Sequence, residues 1–333
     1  MLIHRRSRIV LLVACILILI ASFFSSILLG YTDTSFKNLI HSFTQFNGSN
    51  EQLVIQNVRF PRAIIASVVG ASLAIAGLFM QVLTKNPLAS PSVLGINAGA
   101  SMLIVLSITF FNLHSVTATI WLAFLGAALS SLFVFGLSSL GKDGATPLKI
   151  TLAGVSIAAM FSSITQGLLV TNEVALEQVL FWLAGSVQGR SLDSLVMVLP
   201  YIVFAWVISL ALGGKINTFM LGEDLSKALG QNTALLKGIL VFLVIVLAGG
   251  AVSVAGPIGL VGIIVPQIVR VFVKNDYRWM IPLCGLFGAI LLLLADIGAR
   301  YLIMPEETPV GIMTAVIGAP FFIYLARKGG TVK

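Results

Sequence analysis

Apolar runs of about membrane length recur from one end of this chain to the other, and that periodic absence of charge constrains the fold more than any motif. A helix rises 1.5 Å per residue, so about 20 apolar residues cross a bilayer core, with about 17 to 25 observed. Ten such runs can be read, at residues 9–29, 63–83, 96–111, 116–137, 150–170, 195–212, 236–254, 258–273, 280–299 and 310–325. The third, eighth and tenth are short. Helices of that length are expected to be buried among others, or broken where they line a cavity. The run 180–186, "LFWLAGS", cannot cross and reads as a re-entrant or surface helix. Charged residues make up 10% of the 333 and apolar ones 58%, with a mean hydropathy of +1.05. Soluble domains carry about 25% charged residues. An ordinary globular enzyme is excluded. The expected fold is an all-α polytopic membrane protein, one domain over 1–333.

An even number of spans puts both termini on one side. With the termini in the cytoplasm, the inside holds Arg5, Arg6, Arg8, Lys85, Lys142, Lys149, Lys215, Lys227, Lys237, Arg270, Lys274, Arg278, Arg327, Lys328 and Lys333. The outside holds Lys37, Arg59, Arg62, Arg190 and Arg300. Fifteen basic residues against five obey the positive-inside bias. The formal net charge of +8 is therefore read as cytoplasmic loops against anionic lipid, not as a nucleic-acid surface. The same bias makes "VRFPR" at 58–62 unexpected, because Arg59 and Arg62 flank Pro61 on the side poor in basic residues.

Chemistry is scarce. His4, His41 and His114 are scattered, at the N-terminal end and in loops, and no HExxH or Cys/His cluster occurs, so neither a metal site nor a cofactor is expected. No GxxxxGK[ST] occurs, so the chain should not hydrolyse ATP itself, and no GxSxG elbow is present. Cys15 and Cys284 read as buried thiols. "LVAC" before Cys15 resembles a lipoprotein cleavage box, but the apolar run continues to residue 29, which fits an uncleaved first span. Span centres carry no charge; Arg270 and Asp296 lie near span ends. A self-powered carrier usually places ionisable groups near the midplane, and an intramembrane enzyme needs clustered His, Asp or Glu. The chain provides a path and takes its energy from elsewhere.

Several stretches carry more local information. "GASLAIAG" at 70–77 lies inside a span, where small residues let helices approach closely. "TKNPLASPSVLGINAGAS" at 84–101 places Pro87, Pro91, Gly95 and Gly99 between spans two and three, a structured break or a tight turn. In 217–236, Leu221, Leu225 and Leu229 recur every four residues, Glu223, Asp224 and Lys227 take other faces, and Gly222 and Gly230 bracket a short amphipathic helix. A helix of two turns is marginal alone, so it packs on its own bundle, on lipid, or on a partner. "GPIGLVGIIVPQIVR" at 256–270 interrupts an apolar run with glycine and proline, which suits a span beside a cavity. Asp296 and Arg300, four apart, share a helix face and could pair.

In this order and spacing, "VRFPR", "GASLAIAGLFMQVLTKNPLASPSVLGINAGA", "LAGVS", "FWLAGS", "LGEDLSKALG", "GLVGIIVPQIVR" and "LLADIGAR…PEETPVGIMTAVIGAPFFIYL" resemble the FecCD-type permeases of iron-siderophore, haem and cobalamin ABC importers over 58–325. Phe60 stands where that family usually has Leu, and Gln267 where it usually has His. The resemblance implies ten spans and a permease subunit that imports an iron-siderophore complex, or haem or cobalamin in the same kind of machine. It implies as partners two cytoplasmic ATPase subunits, an extracytoplasmic substrate-binding protein, and a second permease chain, identical or related, in the bacterial plasma membrane. It also implies a path between the two permeases, lined by spans five and ten with three and eight. By it, Arg59, Arg62 and Arg300 receive acidic residues of the binding protein. Leu221, Gly222, Glu223, Leu225, Leu229 and Gly230 form the helix that couples to the ATPase. Thr146, Pro147 and Leu148 form a cytoplasmic gate.

Overall fold

The computed structural model describes residues 5–30, 34–113, 115–140, 145–172, 176, 179–180, 182–303 and 306–328. His4, His114, Lys142, Phe181, Pro305 and Lys333 lie outside them. The elements are α1 (Arg5–Leu28), α2 (Phe36–Thr44), α3 (Asn50–Val54), α4 (Phe60–Thr84), α5 (Ile96–Phe111), α6 (Val116–Ser138), α7 (Pro147–Thr171), α8 (Leu192–Phe219), α9 (Glu223–Ala228), α10 (Thr233–Ala255), α11 (Val261–Val273), α12 (Tyr277–Tyr301) and α13 (Val310–Lys328). A π turn (Ile55–Arg59) joins α3 to α4, and a 3-10 turn (Pro91–Leu94) precedes α5. Among the described residues the sole β feature is an isolated bridge between Ile303 and Glu306.

Among the described residues, seven helices are long and apolar enough to cross a membrane: α1, the continuous stretch Asn50–Thr84, α6, α7, α8, α10 and α12. Ile96–Phe111, Val261–Val273 and Val310–Tyr324 are apolar but shorter, at the three places where the sequence predicts short spans. The molecule is an all-α polytopic membrane protein. The eighth expected segment starts at Val261, not 258, because Gly256 (φ 73°) and Leu260 (φ 68°) adopt the left-handed conformation and break the chain just ahead of it. His41, expected in a loop, lies in α2, a surface helix that buries Leu39 and Ser42 and exposes Phe36, Ile40 and Phe43.

Helices α4 and α10 are sheathed by the others, and α12 lies beside α4. The small-residue segment 70–77 explains the contact. A Cβ on Gly70 would lie 2.3 Å from the Gly288 carbonyl oxygen of α12, and one on Gly77 would lie 2.1 Å from that of Gly262 in α11. In lipid, close backbone approach replaces hydrophobic collapse as the source of helix association. Cys15 and Cys284 are both buried thiols in this packing.

Candidate docking and coupling sites

Helix α1 ends at Leu28, and the last carbonyls of a helix have no partner within it. Two arginines supply one. Arg59 donates from one terminal nitrogen to the carbonyls of Ile27 and Leu28, each at 3.0 Å, and to Thr34 Oγ1 at 2.7 Å. Arg300 donates to the carbonyls of Ser26 (2.7 Å) and Leu29 (2.9 Å) and to Ser26 Oγ (3.0 Å). Positive charge at a helix C-terminus also suits its dipole. Arg300 further pairs with Asp296 at 2.5 Å, one turn back on α12. The other oxygen of Asp296 accepts from Arg62 Nε at 2.8 Å, and Arg62 reaches on to Glu307. Asp296 is fully buried and the three arginines are 4–5% exposed. The fold thus brings together Arg59, Arg62 and Arg300, as the sequence places them, and turns all three guanidiniums inward. Arg59 stands just ahead of α4 and Arg62 in its first turn, and the helical run continues back through the π turn to Asn50. Pro61 lacks an N–H for the helical ladder, and the π turn lies directly ahead of it.

At the opposite end, α9 is six residues long and anchored on one side. Ser226 is buried and donates to the carbonyls of Gly222 (2.6 Å) and Thr218 (2.9 Å). Glu223 accepts from Lys237 of α10 at 3.1 Å and pairs with Lys227 at 3.3 Å. The hydrogen bond from Lys237, ahead of the opposing effect of burial, holds the Glu223 carboxyl below its ordinary range. Gly222 (φ 118°) and Gly230 (φ 79°) turn the chain into and out of the helix in a conformation that side chains resist. With that side pinned, Leu221, Leu225 and Leu229 stand 61%, 59% and 67% exposed. Leu225 on the helix, with Leu221 and Leu229 just outside its two ends, makes an uncovered apolar row beside a braced helix. Asp224 is also exposed.

Thr146 caps α7, accepting from the Lys149 amide, and Pro147 follows as the first helical residue, where its missing N–H is no loss. Leu148 is 69% exposed and begins an open stripe that continues through Leu152 and Val155. Sequence reasoning missed a polar clasp between α4 and α11. Gln267 Nε2 donates to Gln81 Oε1 (3.1 Å) and to the Pro87 carbonyl (2.5 Å), while Arg270 donates to Gln267 Oε1 (2.9 Å) and Gln81 Oε1 (3.1 Å). The departure at Gln267 is the signal that could have pointed there.

Comparisons with known proteins agree over nearly the whole chain. Residues 17–328 match the FecCD transport family. A siderophore transport system permease protein of Bacillus subtilis (strain 168), YfiZ, is 55% identical over 323 residues, covering 97% of each chain. The Fe(3+)-citrate import system permease protein YfmD of the same organism is 39% identical over 327 residues, covering 98% of this chain and 97% of that one. A solved structure described as an inward-facing metal-chelate type ABC transporter superposes with a TM-score of 0.84 at 29% identity, over 96% of this chain and 99% of that one.

Proposed function

The chain belongs to the FecCD transport family, and on that premise we propose that it is the permease subunit of an ABC importer that moves an iron-siderophore complex into the cytoplasm. It is a multi-pass protein of the bacterial plasma membrane. The permease itself is not an enzyme: ATP is hydrolysed on a separate subunit. The observation that carries the mechanism is the exposed leucine row on and beside α9, a helix pinned by Ser226 and Glu223.

In the proposed arrangement residues 1–333 form one domain that crosses ten times, with α5, α11 and α13 as short crossings and both termini cytoplasmic. The asymmetry of fifteen basic residues against five supports this orientation. The loop 217–236 then faces the cytoplasm, and α9 docks on one of two ATPase subunits through Leu221, Leu225 and Leu229. A second permease chain packs against the open faces of α7 and α13, and the path runs between the two copies. Thr146, Pro147 and Leu148 narrow it at the cytoplasmic end. An extracytoplasmic binding protein docks at the arginine end, on Arg59, Arg62 and Arg300. Three arginines against Asp296 and Glu307 leave that cluster one positive charge in excess. To meet a partner's acid, a guanidinium there must exchange a present carbonyl or carboxylate for it.

Reconstitution in proteoliposomes tests this. Import of an iron-loaded siderophore is expected only with the cognate ATPase, its ATP and the binding protein together. Import that persists without the ATPase would overturn the proposal. Thr146→Cys in adjacent permeases should crosslink in one nucleotide state more than another; equal crosslinking in all states would remove the gate.

A further inference from the structure

A cavity of about 800 Å³ opens at the arginine end, between α5, the 182–190 segment and the start of α13. Its wall is built by close backbone contacts. The Ser186 amide donates to the Ala255 carbonyl at 2.8 Å, and the Gly311 amide to the Gly185 carbonyl at 2.9 Å. A Cβ on Gly256 would lie 2.3 Å from the Trp182 carbonyl oxygen, so the break before α11 and the 182–186 segment fit only with glycine there. A wall held this way is rigid, and the side chains it carries have fixed positions.

Those side chains are unlike the rest of this end. Arg190 is half-buried in the cavity, and its Nε donates to the Ser186 carbonyl at 3.3 Å. Among the described residues no carboxylate pairs with it. Burial pushes its pKa down, and no acid among the described residues opposes the effect. The indole N–H of Trp182 is buried inside the same wall, with no hydrogen-bond partner among the described residues. Glu307 also lines the cavity, but its carboxylate is engaged by Arg62. The cavity therefore offers a guanidinium whose one hydrogen-bond partner among the described residues is the Ser186 carbonyl, in a volume that suits a chelate of several hundred daltons.

We propose that this cavity is a receiving site for an anionic ferric chelate, and that Arg190 binds its peripheral carboxylate oxygens. The planar fork of arginine matches a carboxylate in two parallel hydrogen bonds, which a neutral chelate cannot return. The inference rests on the permease reading and narrows its cargo to chelates that carry negative charge.

Two measurements decide it. In full-length protein in membrane vesicles, Gln188→Cys places an exposed thiol on the cavity wall; Cys15 and Cys284 are buried. Its reaction rates with negatively and positively charged methanethiosulfonate reagents are compared with and without Arg190→Gln. The ratio of anionic to cationic rate should fall about tenfold on losing Arg190, and a ratio that changes less than twofold overturns the proposal. In the complete transporter, Arg190→Gln should reduce uptake of radiolabelled ferric citrate at least tenfold relative to a neutral ferric trihydroxamate, with partial rescue by Arg190→Lys. Equal loss of both chelates, or of neither, overturns it. If the parent imports no ferric chelate, the permease reading fails while the reagent ratio still decides the charge of the cavity.

Discussion

The two ends of the bundle handle costly side chains in opposite ways. At one end three arginines and two carboxylates fold inward, where they close the end of α1 and tie it to α4 and α12. At the other, three leucines that burial would stabilise by roughly 1.5–3 kcal/mol each are left in the open on α9 and at its two ends. Charge at a membrane boundary is first a structural demand, since an uncompensated ion is too expensive to leave between helices. Apolar exposure on a helix braced from behind has no such internal use. The difference teaches that residue type alone does not mark a free side chain; what matters is whether that side chain is already satisfied within its own chain.

The hardest test of that contrast is Asp296→Ala. It strips Arg62 and Arg300 of their shared carboxylate while both remain buried. Removing one partner of a buried ion pair costs about 3–5 kcal/mol, so thermal unfolding of the detergent-purified protein should shift down sharply or folded protein should be lost. An unchanged melting profile would mean that the cluster does not hold this end together.

Leu225→Asp probes the other end. Stability should change by less than about 0.5 kcal/mol, because the side chain is exposed. Affinity for the ATPase should fall by at least about 2 kcal/mol, roughly thirtyfold, as for a central anchor residue. Pull-down of the ATPase together with a melting curve reads both. Retained ATPase binding would make the leucine row a lipid contact and erase the contrast.

Arginine docking is sharpened by mutating the partner, which leaves the fold of this chain untouched. Reversing the acids on the proposed binding protein to lysine should weaken its docking about tenfold, or 1.4 kcal/mol, with strong salt dependence in the parent. If that reversal does nothing, Arg59, Arg62 and Arg300 serve α1 alone.

These residues also show how far the sequence could be read. The long apolar helices, the shorter apolar ones at the third, eighth and tenth segments, and the short helix α9 between Gly222 and Gly230 were legible because each depends on periodicity within one segment. The Asp296–Arg300 pair was legible for the same reason, being one helical turn apart. Arg62 to Asp296 spans 234 residues and Arg300 to Ser26 spans 274. No local pattern encodes such partners, so the arginines read as outward charges when they are inward ones. The π turn at 55–59, the surface helix α2 and the Gln81–Gln267–Arg270 clasp were likewise hidden, since each is set by tertiary contact.

The smallest expected effect concerns what braces α9. Glu223 has its pKa depressed, chiefly by the hydrogen bond from Lys237 and despite some burial. A depressed carboxylate contributes stability that is fully present above its unfolded pKa and is lost as pH falls through the folded one. The contribution of Glu223 should therefore be constant at neutral pH and fade below about pH 4.5, the ordinary value for this group. Its side chain is 38% exposed, so solvent screening keeps the pair with Lys237 within about 1 kcal/mol. Glu223→Gln should accordingly lower ATPase affinity severalfold at neutral pH by loosening the leucine row, far less than Leu225→Asp, and high salt should shrink the gap between parent and mutant. If Glu223→Gln binds the ATPase as tightly as the parent at low salt, Ser226 and the backbone hold α9 without help, and the brace is a matter of hydroxyl bonds and not of charge.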